Sequence, residues 1–270
     1  MQTISDTLEN ENVQFFDLFS KYYEWFYGSI IVDRIIDAWF NALLEAGLKK
    51  NQSQCPQETL KLLDVGCGPG CYINSWRKKG FIVYGIDSSP KMIELARKKY
   101  ENNDHPDTFF VADIRSIKAS IVARQKFDVV TSHFNFLNLF PENELKSIFN
   151  NISLLAKRGC FWITDYSLPE NLPQECLESY EIGNNNKLTR RGFWNKRLNC
   201  FEHIWELNGR AINPRERYWF HSHATLRTLL EEAGWKLEKD YQSKVVNGEL
   251  SLSPFLDKTE HTVIIMKRCE

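Results

Sequence analysis

The stretch Leu63-Asp64-Val65-Gly66-Cys67-Gly68-Pro69-Gly70 constrains the fold of this chain more than any other. It follows an apolar run, 60–63, and precedes a helix-like segment, 72–79. Glycine has no Cβ, so three alternating glycines allow a tight turn on which a ligand can contact the main chain. The first turn of the helix adds free backbone N–H groups. The sequence therefore predicts a strand, a glycine turn and a helix that bring bare backbone against a ligand.

Alternating strand and helix patterns continue after this turn. Strands are predicted at 60–66, 81–87, 108–112, 127–132 and 159–166. This βαβ rhythm predicts an α/β fold with a mostly parallel sheet and helices on both faces. Residues 167–197 are polar and predict a loop, after which Asn208-Gly209 predicts a hairpin between 199–207 and 211–220. A helix at 224–233 and strands at 235–241 and 262–267 complete the chain.

Acidic side chains stand where two of these strands end. Asp87 follows the glycines by about 20 residues, and Asp113 follows the third strand. Ligands of open parallel sheets lie at the carboxyl ends of the strands, and a carboxylate can accept two hydrogen bonds from a ribose diol. These positions are therefore candidate ligand contacts.

The glycine spacing separates two kinds of nucleotide site. A dinucleotide-binding turn has the spacing G-x-G-x-x-G, which would place the third glycine at Cys71. The spacing found, with Asp64 before it and the acids after it, resembles the class I S-adenosylmethionine-dependent methyltransferases over residues 60–166. The flanks resemble the small-molecule members, such as the glycine and amino-sugar N-methyltransferases.

This resemblance implies a Rossmann-like, seven-stranded sheet with an antiparallel last strand, a helical N-terminal lid and an antiparallel hairpin insertion. It implies S-adenosyl-L-methionine as the cofactor and S-adenosyl-L-homocysteine as the product. Asp87 would hold the ribose hydroxyls, and Asp113 would accept from the adenine amino group, with Ile114 and Met92 at the ring. The remaining cofactor contacts implied are Tyr23, Asp64, Gly66, Cys67, Gly68, Gly70, Ser88, Ser132 and His133.

The methyl acceptor is less constrained by the sequence. A general base assists when the nucleophile is a hydroxyl or an ammonium group, and His133 and His203 are the candidate bases. An aromatic cluster in residues 193–220 could enclose an apolar or cationic acceptor, or simply pack the hairpin onto the sheet. The candidate substrate residues are Tyr27, Trp194, Trp205, Trp219 and His221.

Composition limits the partners. Lys and Arg number 34 against 35 Asp and Glu, so no overall field attracts nucleic acid or a membrane. We expect a small-molecule substrate, no membrane partner, no nucleic acid, and a monomer or homodimer. Seven scattered cysteines indicate free thiols in the cytoplasm. Cys67 and Cys71 lack the second ligand pair of a metal site, so no metal is expected.

We expect one domain, 1–270, with the lid at 1–50, the cofactor core at 60–166, the cover hairpin at 167–222 and the closing elements at 223–270. The main hypothesis is methyl transfer to an oxygen, nitrogen or carbon of a small molecule. Two alternatives stay open. The basic run 187–197 could serve an RNA methyltransferase, or the chain could bind S-adenosylmethionine without catalysis.

Overall fold

A computed structural model describes residues 4–27, 32–49, 59–102, 106–119, 121–168, 175–182, 186–246, 249–253 and 261–269. The helices are α1 (Ile4–Tyr27), α2 (Val32–Glu45), α3 (Ile73–Lys78), α4 (Pro90–Tyr100), α5 (Glu142–Leu155) and α6 (His223–Glu232). The strands are β1 (Lys61–Val65), β2 (Ile82–Asp87), β3 (Phe109–Val111), β4 (Phe127–Ser132), β5 (Ala156–Tyr166), β6 (Glu175–Ile182), β7 (Asn186–Asn195), β8 (Cys200–Leu207), β9 (Arg210–Tyr218), β10 (Trp235–Val246), β11 (Glu249–Ser253) and β12 (His261–Arg268).

The larger sheet confirms the predicted Rossmann-like fold. Its strand order is β11-β10-β12-β5-β4-β1-β2-β3. Strands β1 to β5 run parallel, and β12 is antiparallel to β5 and to β10. The order reverses between β1 and β4, which is the point where open sheets of this kind form a crevice at their strand ends.

Apolar residues cover both faces of this sheet. Neighbouring residues of β1 point to opposite faces, so Leu62 packs with α2, α3 and α4 whereas Leu63 packs with α5 and α6. The same alternation places Phe161 and Trp162 of β5 in the two separate clusters. Burial on both faces explains why these central strands have nearly continuous apolar sequences.

The sheet has one strand more than expected. Strand β10 continues to Val246, beyond the predicted end at residue 241, and pairs with β11 along 242–246. This extension is polar, with Gln242, Ser243 and Lys244. Strand β11 does alternate polar residues with Leu250 and Leu252, but five residues make a short signal that the sequence analysis did not use.

The insertion is a four-stranded antiparallel sheet in the order β6-β7-β8-β9, which we call the cover sheet. The predicted hairpin is present as β8 and β9, with positive φ at both Asn208 and Gly209. The loop predicted for 167–197 is wrong from Glu175 onward, since β6 and β7 pair with each other between Glu175 and Phe193. Exposed and partly buried residues alternate along β6 with few apolar side chains, so composition concealed the strand.

Helix α1 joins the cover sheet to the main sheet. Phe15 and Phe19 pack against Trp205 of β8, while Asp17 accepts hydrogen bonds from Ser89 and from the backbone of Lys91 at the start of α4. A ligand at the carboxyl ends of the strands would thus lie beneath both α1 and the cover sheet. Within the described ranges, no helix is long and apolar enough to cross a membrane.

Candidate functional site

A cavity of about 340 Å³ lies at the carboxyl ends of β1, β2 and β4, between the main sheet, α1 and β9. Its volume falls in the range of sites for small organic ligands. Nine of the predicted cofactor residues line it together: Tyr23, Gly66, Gly68, Asp87, Ser88, Met92, Asp113, Ile114 and His133. The cavity therefore brings together side chains from four strand ends and from the N-terminal helix.

The glycine turn approaches the cavity with its backbone. Gly66 and Gly68 have φ of +72° and +53°, a region that favours glycine. A Cβ added at Gly66 would lie 2.5 Å from a ring carbon of Phe136, so only glycine fits there. At Gly68 a Cβ would instead meet the Tyr23 ring at 3.8 Å. The Gly68 backbone thus lies close to the Tyr23 ring, and both residues line the cavity.

Asp87 locks this turn to the end of β2. One carboxylate oxygen accepts a hydrogen bond from the Gly68 N–H at 2.9 Å, and the other accepts from the Ser89 N–H at 2.8 Å. The pKa of Asp87 is raised to about 6, mainly by burial, with smaller contributions from the nearby Asp17 and Asp113. The two backbone hydrogen bonds lower this pKa and offset only part of the rise. Each carboxylate oxygen has a second lone pair, so Asp87 can also accept hydrogen bonds from a ligand in the cavity.

Asp113 is part of an ion-pair network at the far wall. Its carboxylate accepts from the backbone N–H of Arg115 at 2.9 Å and from the guanidinium at 2.6 to 3.0 Å. Arg115 also lies 3.5 Å from Glu144 of α5. All three side chains line the cavity. The predicted adenine contact of Asp113 would therefore share its oxygens with Arg115, which the sequence reasoning did not anticipate.

His133 lies in an aromatic sandwich at the end of β4. Its ring stacks between Trp39 and Tyr72, with centroids 4.2 and 4.0 Å away. Its Nε2 is 3.4 Å from the indole nitrogen of Trp76, which donates to it. Burial lowers the pKa of His133 to about 3. This geometry argues against the predicted role of general base, because a pKa this low makes the imidazole a weak base and its Nε2 already accepts from Trp76.

His203, the second predicted base, lies outside the residues that line the cavity. It is buried on β8, where Nδ1 is 3.0 Å from a carboxylate oxygen of Glu216. The prediction assumed that one face of β8 opens toward the ligand. The ring centroid of His203 is instead 5.4 Å from that of Tyr218, which lines the cavity, so His203 lies behind the cavity wall.

Four predicted cofactor residues support the site from behind the cavity wall. Asp64 is buried and accepts a hydrogen bond from Thr131 at 2.9 Å, and burial raises its pKa to about 7. Ser132 is bonded to Thr164 and Trp162. The other two belong to the turn itself, and are Cys67, whose thiol is buried, and Gly70, whose added Cβ would meet Tyr100 at 2.9 Å.

Among the predicted substrate residues whose side chains the structure describes, only Trp219 lines the cavity. Trp205 is fully buried against α1 and donates to Glu216, and Trp194 lies beside Phe220. His221 is buried and bonded to the carbonyl of Phe140 at 3.0 Å. Each of these three side chains has partners of its own, which are set by tertiary contacts that the sequence does not show. The side chain of Tyr27 lies outside the described residues.

Several cavity residues were not singled out from the sequence. They include Asn12 and Phe16 of α1, Phe134, Phe136 and Phe140 after β4, Asn143 and Glu144 of α5, and Tyr218 of β9. Tyr218 belongs to the aromatic cluster that the sequence shows, but Trp205 and Trp219 are equally plausible substrate contacts by sequence. No local signal separates them, because the choice depends on which face of β9 meets the core.

Residues 62–159 match the family of methyltransferase domains. A ubiquinone biosynthesis O-methyltransferase of Pelagibacter ubique is 32% identical over 120 residues, which are 43% of this chain and 45% of that protein. The chain spans about half the length of the curated relatives that it matches best.

Solved structures share the fold across nearly the whole chain. An S-adenosylmethionine-dependent methyltransferase of Clostridium acetobutylicum has a TM-score of 0.73 at 15% identity, covering 93% of this chain and 97% of that one. An amino pentose methyltransferase of Micromonospora echinaspora, solved with bound S-adenosylmethionine, has a TM-score of 0.65 at 16% identity, covering 91% and 96%. At these identities the likeness establishes the fold alone.

Proposed function

We propose that this chain transfers the methyl group of S-adenosylmethionine to a small-molecule acceptor, because residues 62–159 match the family of methyltransferase domains. The observation that carries the proposal is the bond between Asp87 and the Gly68 backbone at the edge of the cavity. The Asp87 carboxylate can accept hydrogen bonds from the ribose diol of a nucleoside. The Gly68 backbone, which has no Cβ, leaves room beside it for the flexible chain of that nucleoside. The similar proteins include a ubiquinone biosynthesis O-methyltransferase and an amino pentose methyltransferase, and these names support a small acceptor.

The described residues fit this cofactor. Asp87 would accept from the ribose hydroxyls, Gly68 would lie against the methionine portion, and Ile114 and Met92 would contact the adenine ring. Tyr23 of α1 would close the site from above. When bound, S-adenosylmethionine supplies a methyl group on a positively charged sulfur that is already a good leaving group.

The protein's contribution to the rate is then mainly orientation and exclusion of water. The side of the cavity beneath the cover sheet is apolar and aromatic, with Phe16, Leu139, Phe140 and Trp219. Tyr218 places a polar hydroxyl in the same wall, where it donates to Glu216 at 2.7 Å. We propose that the acceptor packs here, with an oxygen, nitrogen or carbon directed at the methyl group.

The proposed division of labour follows the fold. Residues 60–166 hold the cofactor, residues 1–50 and 167–222 cover the acceptor, and residues 223–270 close the sheet, within one domain. The cytoplasm is the compartment that we propose, since Cys67, Cys160 and Cys200 are buried free thiols. We propose that the protein acts there as a monomer or homodimer.

The RNA alternative receives less support from the basic run. Arg190 forms an ion pair with Glu178 and lies over the ring of Trp205, so its charge is not available to a phosphate. Lys187, Arg191 and Lys196 are exposed, as solvated surface residues usually are. RNA binding by these residues would weaken steeply with salt, and its absence in a titration would remove this alternative.

Titration with S-adenosylhomocysteine in a calorimeter tests the cofactor site. The wild type should bind, and Asp87→Ala should lose about tenfold or more in affinity, because a ribose partner and a clamp on the turn both disappear. Asp240→Ala is the matched control, since this aspartate is exposed on β10 and outside the cavity. No binding by the wild type, or equal binding by Asp87→Ala, would sink the proposal. Transfer of labelled methyl to a small-molecule extract then separates an enzyme from a non-catalytic binding protein.

A further inference from the structure

The cover sheet carries a second cluster of reactive groups, whose members lie behind Tyr218 and do not themselves line the cavity. Cys176 of β6 pairs with Gly192 of β7, Gly192 pairs with His203 of β8, and His203 pairs with Glu216 of β9. The four residues therefore form one row across all four strands. Directly paired residues point to the same face of a sheet, so the thiol, the imidazole and the carboxylate share a face.

Gly192 leaves room for Cys176 and His203 to approach each other across β7. A Cβ added at this glycine would lie 2.6 Å from the Cys176 sulfur and 2.4 Å from the ring of Phe201. The sulfur thus occupies the space above the glycine, on the face of the sheet where His203 is the next paired residue. Any other residue at 192 would separate them.

Glu216 fixes the orientation of the imidazole. One of its oxygens is 3.0 Å from His203 Nδ1 and accepts from the indole of Trp205 at 3.0 Å. Its other oxygen accepts from the Tyr218 hydroxyl at 2.7 Å. Because Nδ1 is committed to this buried carboxylate, Nε2 is the nitrogen left for the thiol. A thiol, an imidazole and a carboxylate in this order form the arrangement that activates a cysteine as a nucleophile.

The charges around the sulfur favour a thiolate. The hydrogen bond from His203 lowers the pKa of Cys176 against the effect of burial, and Arg190 adds to the lowering while Glu178 opposes it. Burial alone would lower the pKa of His203, but its hydrogen bonds to Cys176 and Glu216 raise it. Cys176 is only partly buried on the edge strand β6, so a small reagent can reach its sulfur.

We propose that Cys176 is a nucleophilic thiol, activated by His203 and Glu216, and that it is a site of oxidation by hydrogen peroxide. The thiolate sulfur attacks one peroxide oxygen, so that an S–O bond forms and the O–O bond breaks. The second oxygen leaves as hydroxide and takes the proton of the His203 imidazolium to become water. The sulfur is oxidised by two electrons to a sulfenic acid, and the peroxide is reduced. This chemistry does not depend on the proposed methyl transfer.

Competitive alkylation of the folded, full-length protein tests the activation. With limiting iodoacetamide at pH 6.5 and peptide mass spectrometry, Cys176 should react at least about threefold faster than Cys269, which is exposed in the same chain. A lowered pKa leaves more thiolate at this pH, and the accompanying loss of intrinsic nucleophilicity offsets only part of that gain. The advantage should vanish in His203→Gln and shrink in Glu216→Gln, which keeps the volume of the carboxylate.

A peroxide arm tests the modification itself. After brief exposure to hydrogen peroxide, dimedone should label Cys176 and spare Cys269, and dithiothreitol added before dimedone should prevent the label. Cys176→Ser removes the label while leaving the fold intact, as circular dichroism would verify. Equal rates for Cys176 and Cys269, an unchanged rate in a folded Glu216→Gln protein, or dimedone labelling spread over all exposed thiols would overturn the proposal.

Discussion

At the scale of single residues, Asp87 has a structural role besides the ligand contact that the sequence predicts. Its oxygens hold the backbone of Gly68 and Ser89, so the carboxylate shapes the turn before any ligand arrives. The same burial that makes these bonds strong raises its pKa to about 6. A carboxylate with a pKa so far above its usual range loses its charge under mildly acidic conditions.

We therefore predict that S-adenosylhomocysteine binding weakens as pH falls through about 6. The ionised form is the better acceptor for ribose hydroxyls, so the dissociation constant should rise about tenfold between pH 7 and pH 5 if only that form binds. Calorimetric titrations at several pH values measure it. Asp87→Asn is the control, because an amide does not titrate and its weaker binding should be flat across this range. A dependence retained in Asp87→Asn would assign the effect to another group.

At the scale of elements, the join between β1 and α3 depends on glycine for two separate reasons. Gly66 has a φ of +72°, and Gly159 in β5 has the same value. A side chain in this conformation costs about 1 kcal/mol or more at either position. Only at Gly66 does a Cβ also collide with Phe136, whereas nothing lies within 4 Å of one at Gly159.

This pair separates backbone strain from the shape of the site. Gly159→Ala should lower the free energy of unfolding by about 1 kcal/mol and leave ligand affinity unchanged. Gly66→Ala should cost more and should also weaken S-adenosylhomocysteine binding, because Phe136 must move and it lines the cavity. Urea unfolding and calorimetry on both variants give the comparison. Equal losses of stability with no loss of binding at Gly66 would contradict the role given to the turn.

At the scale of the whole molecule, α1 holds the two sheets in one arrangement around the cavity. Phe19 is buried against Trp205 of the cover sheet, and Phe16 and Tyr23 of the same helix line the cavity. Asn12 donates to the carbonyls of Leu139 and Arg217, next to the acceptor wall. Loosening α1 should therefore open the site as well as destabilise the fold.

Phe19→Ala should lower the free energy of unfolding by about 3 kcal/mol, the usual cost of truncating a buried aromatic ring, and should weaken S-adenosylhomocysteine binding. Leu18→Ala is the matched control on the same helix, since Leu18 is 51% exposed and should change stability by about 0.5 kcal/mol or less. Hydrogen exchange along residues 12–27 reports the docking directly. If Phe19→Ala binds the ligand as the wild type does, α1 is not part of the ligand's enclosure.

The sequence by itself determined the parallel core and its ligand edge. The features of that edge are the glycine turn, Gly66 to Gly70, and the acids at two strand ends, Asp87 and Asp113. Each of them is specified by residues that are neighbours along the chain. The cap of α4 is equally local, with Ser89 accepting from the Met92 N–H, as a serine before the first turn of a helix commonly does. Such features depend on backbone geometry that a few adjacent residues specify.

Only the tertiary structure decided what the cover of the site contains. Trp205, Trp219 and Tyr218 are alike as aromatic residues of one segment, yet the first packs on α1 and the other two line the cavity. Their fates depend on strand register and on contacts with a helix about 190 residues earlier in the chain. Likewise, Cys176 meets His203 only because Gly192 lies between them in space. Pairing between distant strands selects the face that each side chain takes, and local sequence has no access to that choice.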